Sequence, residues 1–423
     1  MRFVPLPGNS FPEFIRAYYD ECRGRVAQVE AIAGKWIFED LMPGMSDFDT
    51  RFICADAMTA EDWCRMSTAV GEVHLDLCRS RPEWARILEH LPGVNLTWDE
   101  LSDEVTYYPE YKQWSFYNCS EPALLKQATE TLAKRGWDAK DEYFHLKRFL
   151  TYFGPYDRKI DPAINLGVYE ERYPLHSRLM HYFTPALQSA VAILQRRTVA
   201  GKMESLLLAR ELVPEASVVG EVIEVVGQGY EAPQLYQEPA LSELEERLFD
   251  GLKMLGQRLA SAITILPGAA DTAPQEWKTS VRTIAVDPAL TLFDNAKFAR
   301  LMKGRLYFYA NAPSHFATTW LIRNELGRIG NMFFRTPFRI FWELTRGETV
   351  ADAAEIVPGL APAILSDEEV ACTLAFSRLA MMCDPGQETQ RAAEIVEVYD
   401  GFFHALHKIS HAVRELQRGK GSK

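Results

Sequence analysis

Three features are scarce in this sequence of 423 residues: paired cysteines, long apolar runs and excess positive charge. The seven cysteines are scattered and include no Cys-x-x-Cys pair, which is typical of reduced thiols rather than of a disulfide framework. Apolar runs of about eighteen residues are absent, and prolines interrupt the first residues where a secretory signal needs an apolar core. We therefore expect a cytoplasmic protein with neither a membrane span nor an export signal.

The charge balance is acidic, with a formal net charge of -12 and a pI near 5.4. Proteins that bind nucleic acid depend on an excess of Lys and Arg around the phosphates. The composition therefore argues against nucleic acid as the main partner. The hydrophobic content of 47% is ordinary for a globular protein, and the length allows two or three domains.

The two parts of the chain differ in their hydrophobic patterns. In about the first 160 residues, helical patterns alternate with short strand-like runs, whereas long helical patterns separated by Pro and Gly follow. We expect an α+β fold, in which a mixed sheet with helices over residues 1–160 precedes a large all-α region over residues 161–423. The segment from Leu266 to Glu276 is rich in Pro, Gly and small residues and predicts an internal linker within 266–290.

Strand predictions in the first part depend on alternation and on punctuation by Gly and Pro. The third predicted strand, over Val94 to Leu101, places Asp99 on its polar face and directs Glu100 toward the core. In chain order, the predicted elements are a helix over Phe11 to Arg25, a strand over 26–33, a short helix over Trp36 to Leu41, a strand over Asp47 to Ala55, a helical segment over Thr59 to Leu91, the strand over Val94 to Leu101, a strand over Tyr111 to Tyr117 and a helix over 122–136.

Two aspartates, Asp47 and Asp49, are separated by one aromatic residue within the second predicted strand. Successive side chains of a strand point to opposite faces, so both carboxylates share one face. Two negative charges held this close repel each other unless a cation neutralises them, and carboxylate oxygens suit magnesium. The pair predicts a metal-dependent site that handles a nucleotide.

The sequence Gly34-Lys35, followed after ten residues by Ser46-Asp47-Phe48-Asp49, resembles the signature of the DNA polymerase β-like nucleotidyltransferase superfamily. In that family a strand ends in Gly-Ser or Gly-Gly, a short helix follows, and the next strand bears Asp-x-Asp or Asp-x-Glu. The fragment PGMSDFD is most similar to the aminoglycoside nucleotidyltransferases and the glutamine synthetase adenylyltransferases. The resemblance covers residues 26–101, about a fifth of the chain.

The resemblance implies that Asp47 and Asp49 bind two magnesium ions, and that Gly34, with the Ser46 turn, lets the backbone approach the nucleotide phosphates. It also implies a third carboxylate on a later strand. Our choice is Asp99, because of its face on the predicted strand, with Glu100 and Glu104 as alternatives.

Lys35 stands where the family usually has Ser or Gly. A lysine can contact phosphates as a point charge, but its bulk can also fill the nucleotide pocket.

The activity that the resemblance implies is transfer of a nucleoside monophosphate from an NTP, most simply ATP, to a hydroxyl of a small molecule by a two-metal mechanism. Two alternatives remain open: a protein-modifying adenylyltransferase, for which the helical region is a docking surface, and a non-catalytic scaffold with the nucleotidyltransferase fold, for which Lys35 is the motive. A glycosyltransferase is disfavoured, because the chain lacks the alternation of parallel strands and helices typical of that class.

Overall fold

The first third of the protein is built around a four-stranded mixed sheet, as a computed structural model shows. The central strand β1 (Val29–Gly34) pairs antiparallel with β2 (Arg51–Cys54) and with β4 (Ser115–Cys119). Strand β2 also pairs in parallel with β3 (Val94–Thr97), so the strand order is β3-β2-β1-β4. The structure describes residues 11–35, 41, 48–84, 87–89, 93–158, 184–231, 238–274, 276–277, 280–281, 293, 296–297, 300–301, 303–305, 308, 337–350, 353–360, 363–381, 384 and 386–421.

Helices flank this sheet and form the rest of the described chain, which confirms the predicted α+β class. The helices around the sheet are α1 (Phe11–Arg25), α2 (Ala60–Ser80), α3 (Trp98–Ser102), α4 (Pro122–Lys134) and α5 (Ala139–Arg158), with 3-10 turns at Pro82–Trp84, Ile87–Glu89 and Pro109–Gln113. The later helices are α6 (Thr184–Gln195), α7 (Lys202–Leu212), α8 (Ser217–Glu231), α9 (Glu238–Ala260), α10 (Pro337–Arg346), α11 (Ala353–Gly359), α12 (Asp367–Met381) and α13 (Glu388–Gly421), with a 3-10 turn at Ala269–Asp271.

Helix α1 has the bounds that its apolar spacing predicts. Phe14, Ile15, Tyr18 and Cys22 recur at helical intervals and are all buried, so they form the stripe that packs on the sheet. A capping box begins α2: the Thr59 hydroxyl accepts a hydrogen bond from the Asp62 amide, and the Asp62 carboxylate accepts one from the Thr59 amide. Hydrophobic periodicity therefore accounts for α1, and the capping box accounts for the start of α2.

The predicted strand over Val94 to Leu101 is only half correct, because β3 ends at Thr97 and helix α3 begins at Trp98. The Thr97 hydroxyl accepts from the Glu100 amide at 3.2 Å, and the Glu100 carboxylate accepts from the Thr97 amide at 3.0 Å. This reciprocal pair is a capping box, a Thr-x-x-Glu pattern that is typical of the first turn of a helix. The alternation of Val94, Leu96 and Trp98 therefore overstated the length of the strand.

Two other predicted strands are shorter than expected. The second begins at Arg51, and Phe48 to Thr50 precede it without regular structure. The predicted strand over Tyr111 to Tyr117 is a 3-10 turn as far as Gln113, and strand pairing starts only at Ser115. Pro109 fixes the first position of that turn, since its ring suits the start of a helical turn and not the interior of a sheet.

Residues 266–274 pack against the helices instead of forming an open linker. Leu266 and Ala269 are buried, and the Trp277 indole nitrogen donates to the Ala269 carbonyl at 3.2 Å. The Glu142 carboxylate of α5 accepts hydrogen bonds from the backbone amides of Thr264 and Ile265. Pro274 packs on Gly256 of α9, whereas the residues from Ala270 to Ala273 are exposed. The boundary expected near residue 160 lies outside the described residues.

The last helix connects the helical region with the sheet. Phe402 of α13 stacks on Phe376 of α12 with ring centroids 3.8 Å apart. Further along α13, Arg414 lies 2.9 Å from the Asp99 carboxylate and 3.2 Å from that of Asp103. The C-terminal helix therefore closes over the end of β3 and α3.

Gly34 ends β1 at a point where no side chain fits. A Cβ at Gly34 would lie 2.6 Å from Cζ of Phe48 and 3.1 Å from Cε2 of Tyr117. Phe48 is 4% exposed and its ring packs against Phe14 and Tyr117, so it cannot swing away without opening a cavity. Packing alone therefore requires glycine at the end of β1.

We expect Gly34→Ala to lower the free energy of unfolding by about 1–3 kcal/mol, because the added methyl group overpacks the Phe48 contact. Urea denaturation measures this change. Gly24→Ala is the matched control, since a Cβ at this position in α1 has no neighbour within 4 Å among the described residues. Equal stability of the two variants would contradict the packing role of Gly34.

Candidate functional site

Lys35 and Asp49 lie at the same edge of the sheet. Ala33 of β1 pairs with Arg51 of β2 in the antiparallel ladder, so the residue after β1 and the residues before β2 emerge side by side. Arg51 holds Asp49 with its Nη2 atom 3.2 Å from Oδ2. Ser46 and Asp47, the other members of the motif, lie outside the described residues.

Asp99 does not join this edge. It follows β3, and its backbone amide donates to the Asp56 carboxylate, just beyond the C-terminal end of β2. Asp49 precedes β2, and because β2 and β3 are parallel, Asp49 and Asp99 occupy opposite ends of the pair. Asp99 is also an exposed residue that pairs with Arg414. The structure therefore does not bring Asp99 together with Asp49, because β3 runs parallel to β2 and Asp99 follows β3 whereas Asp49 precedes β2.

The two alternatives to Asp99 are also directed elsewhere. Glu100 caps α3 and forms ion pairs with Lys303 at 3.1 Å and Arg300 at 3.6 Å. Burial alone would raise the pKa of Glu100, but the charges of Lys303 and Arg300 outweigh it and hold that pKa well below its usual range. Glu104 is exposed on the turn after α3. Neither Glu100 nor Glu104 therefore supplies the third carboxylate that was expected beside Asp49.

Glu110 is the carboxylate that the structure brings to this edge. It is 5% exposed in the 3-10 turn before β4, and its Oε1 atom lies 3.2 Å from Nη2 of Arg51, the same nitrogen that contacts Asp49. The Trp114 indole nitrogen donates to the same oxygen at 3.3 Å. No spacing rule pointed to Glu110, because 59 residues separate it from Arg51 and only the fold joins them.

Two lysines complete the contacts of Glu110. Nζ of Lys35 lies 3.8 Å from Oε2, and Nζ of Lys297 lies 3.9 Å from the same atom. Lys297 is positioned by Tyr108, whose hydroxyl accepts from Nζ at 3.1 Å and whose ring centroid is 4.3 Å away. Three cationic side chains from three separate parts of the chain therefore meet at one buried carboxylate.

The electrostatics of this cluster follow from burial and from the density of positive charge. Burial lowers the pKa of Lys35 well below its usual value, the charges of Arg148 and Lys297 lower it further, and Glu110 and Asp49 oppose them. For Glu110, burial alone would raise the pKa, but Lys297, Lys35 and Arg51 outweigh it and hold that pKa below its usual range. At neutral pH the cluster therefore favours a negatively charged group over a further positively charged one.

His145 of α5 is a buried neutral neighbour of these cations. Burial lowers the pKa of His145 well below its usual value, and the charges of Arg148, Lys35 and Lys112 add to this effect. The imidazole stacks on Trp137 with ring centroids 5.5 Å apart, and neither ring nitrogen has a hydrogen-bond partner among the described residues. A buried polar side chain in this condition is uncommon and marks a position where a ligand or solvent atom would be favourable.

A metal site at this edge depends on the Asp47-Asp49 pair. Within the part of the chain that the structure describes, no three His, Cys, Asp or Glu side chains are grouped to hold a metal ion. Asp49 supplies the oxygen chemistry that magnesium prefers, and its side chain is 33% exposed. Arg51 forms ion pairs with both Asp49 and Glu110, so these two carboxylates fit a magnesium site only in part.

Glu110→Gln should lower the free energy of unfolding by about 3 kcal/mol, since Lys35, Arg51 and Lys297 would lose the carboxylate that they share in a buried site. Urea denaturation at neutral pH measures the change. The exposed Glu104→Gln should remain within about 0.5 kcal/mol of the wild type. Similar effects of the two substitutions would contradict the role of Glu110 as the shared counter-ion.

His145→Phe should make the free energy of unfolding less dependent on pH in the acidic range. The folded imidazole stays neutral while the unfolded one takes up a proton, so stability present at neutral pH is lost as the pH falls below about 6.5. We expect the substitution to reduce the difference in unfolding free energy between pH 7.5 and pH 5.0 by up to about 2 kcal/mol. Urea denaturation at both pH values checks this, with His404→Phe on the exposed side of α13 as the control.

Comparison with protein-family models, curated proteins and solved structures gives no match to this chain. Among the described helices, none combines the length and the apolar character needed to cross a membrane. A functional assignment therefore depends on the chemistry of Lys35, Asp49, Arg51, Glu110 and their neighbours.

Proposed function

We propose that the protein is a magnesium-dependent nucleotidyltransferase, which moves a nucleoside monophosphate from an NTP, most simply ATP, to a hydroxyl of a small molecule. The observation that carries this proposal is the meeting of Lys35 and Asp49 at one edge of the sheet. This edge is the place that the Gly-x(11)-Ser-Asp-x-Asp pattern assigns to phosphates and metal in the family that the sequence resembles. The scattered free cysteines support a cytoplasmic location.

The order of elements around the edge supports the same proposal. Strand β1 ends at Gly34, the motif follows, and β2 returns antiparallel beside β1. A third strand then lies parallel to β2 after the crossover helix α2. This order of strand, motif and strand supports the proposal, although Asp49 precedes β2 whereas the resemblance implies an aspartate pair on the strand itself.

Asp47 and Asp49 would hold magnesium, which would supply charge stabilisation on the phosphate oxygens. Lys35 would contact the phosphate chain as a point charge. Its pKa is lowered first by burial and then by the charges of Arg148 and Lys297, and a phosphate chain beside it would favour its charged form. Arg51 would orient Asp49 through their ion pair. Glu110 would keep Lys35, Arg51 and Lys297 in place, since each of the three cations contacts it.

The helical region would supply the acceptor side of the site. Lys297, in the segment before α10, brings this region to the edge of the sheet. A small hydroxyl-bearing acceptor or a protein acceptor would bind against these helices.

A second candidate is a non-catalytic protein that keeps this fold and binds an anion without transferring it. The Arg51 contact to both Asp49 and Glu110 favours it, because a guanidinium bridges the two carboxylates at the place where catalysis needs metal ligands. Binding without turnover distinguishes this candidate from the enzyme.

Magnesium-ATP binding and pyrophosphate release by the purified chain test the proposal together. We expect magnesium to tighten ATP binding measured by isothermal titration calorimetry at least about tenfold, and Asp49→Asn to remove most of this magnesium-dependent gain. The exposed Asp271→Asn is the matched control and should bind as the wild type does.

Each nucleotide should be titrated separately, with intact-mass analysis of candidate acceptors after incubation. Release of pyrophosphate with a mass increase of a small molecule supports the leading proposal, and a mass increase of a protein supports the adenylyltransferase alternative. The enzyme proposal fails if no NTP binds with magnesium, or if Asp49→Asn and Asp271→Asn behave alike.

A further inference from the structure

Positive charge is concentrated where the sheet meets the helical region. Lys35 at the end of β1 and Lys297 contact the same oxygen of Glu110. Helix α5, which carries Arg148, packs on the turn that holds Glu110, since Nζ of Lys112 in that turn donates to the Asp141 carboxylate of α5 at 2.8 Å. The charge of Arg148 acts on both Lys35 and Glu110. These side chains come from distant parts of the sequence, so the cluster exists only in the folded chain.

Arg148 is held in place by a buried hydrogen-bond relay. Its Nη1 atom donates to Oε1 of Gln188 at 3.0 Å, and Nε2 of Gln188 donates to the Val199 carbonyl at 2.8 Å. Gln188 lies on α6 and is fully buried, and Arg148 is 8% exposed. A guanidinium fixed in this way keeps its position before a ligand arrives, which lowers the entropy lost on binding.

Two polar groups in the cluster have hydrogen-bonding capacity left. Both ring nitrogens of His145 and Nε of Arg51 are buried without a hydrogen-bond partner among the described residues. His145 and Arg148 are three positions apart on α5 and therefore share a face of that helix. Asp141 lies four positions before His145 on the same face and accepts from Lys112 of the turn that holds Glu110, so this face of α5 lies toward the cluster. The charges of Arg148 and Lys35 act on the imidazole.

Several cations spread over one buried region suit an anion with several charges along its length. A single carboxylate would be neutralised by one or two of them, whereas a phosphate chain presents charged oxygens on each phosphorus. Charge interactions in a site from which water is largely excluded are also less screened than on the surface. The cluster therefore matches the phosphate chain of a nucleotide better than a simple anion.

We propose that Lys35, Arg148 and Lys297, with His145, form a binding site for a pyrophosphate or triphosphate chain between the sheet edge and the helical region. The site rests on the proposed function only for the identity of the nucleoside that carries the chain. Arg148, His145 and Lys297 are then phosphate-binding residues contributed by elements outside the sequence motif.

Titration of the full-length protein with inorganic tripolyphosphate in metal-free buffer containing a chelator tests this site without magnesium or a nucleoside. We expect binding that weakens as salt is raised. Arg148→Met should reduce the affinity at least about tenfold, and Arg148→Lys, which keeps the charge, should have an intermediate effect. Lys297→Met removes a second cation without altering α5 and should also weaken binding.

Lys147→Met is the matched control, because Lys147 precedes Arg148 on the same helix but lies over the Tyr143 ring. It should bind tripolyphosphate within about twofold of the wild type. Circular dichroism of each variant shows whether it is folded. If Arg148→Met is not folded, Lys297→Met decides the result.

Failure of tripolyphosphate to bind the wild type overturns the site, as does an equal loss of affinity in Lys147→Met and Lys297→Met. Tripolyphosphate binding without nucleotidyl transfer upholds the site and counts against the proposed enzyme. Nucleotidyl transfer that Arg148→Met and Lys297→Met leave unchanged supports the enzyme and overturns the site.

Discussion

The buried carboxylate of Glu110 is the contact on which the candidate site depends. Lys35, Arg51 and Lys297 each bring a positive charge into a region with little water, and such charges are stable there only with a counter-ion of good geometry. Glu110 provides it, and Trp114 fixes the carboxylate from the side. Lys35 follows β1, Arg51 begins β2 and Lys297 belongs to the helical region, so this one carboxylate also couples the sheet edge to the helices.

A second set of ion pairs lies at the opposite end of the β2-β3 pair, where the parallel pairing of these strands places Asp99. Arg414 of α13 contacts Asp99 and Asp103, and Lys303 contacts Glu100. These acids serve the packing of the C-terminal helix over α3. The two ends of the β2-β3 pair thus carry different chemistry, with cations gathered around Glu110 at one end and acids paired by α13 at the other.

The balance of charge near Asp49 bears directly on mechanism. A nucleotidyltransferase needs carboxylates to hold metal and cations to hold phosphates, and the described edge is richer in the second kind of residue. Lys35 stands where the resembling family has a small residue, and its Nζ lies 3.8 Å from the Glu110 carboxylate. Gly34 is required there by the Phe48 ring, so its presence does not by itself indicate phosphate binding.

The sequence by itself determined the α+β class and the first helix, because these follow from local periodicity. The antiparallel pairing of β1 with β2, which brings Lys35 beside Asp49, was not predicted. The sequence overstated the length of β3, since the capping box of Thr97 and Glu100 outweighed the alternation of apolar residues. Only the tertiary structure decided that Glu110, Arg148 and Lys297 meet at the edge of the sheet. Long-range contacts between buried charges leave no periodic signal in a single sequence, because burial and geometry, not spacing, select the partners.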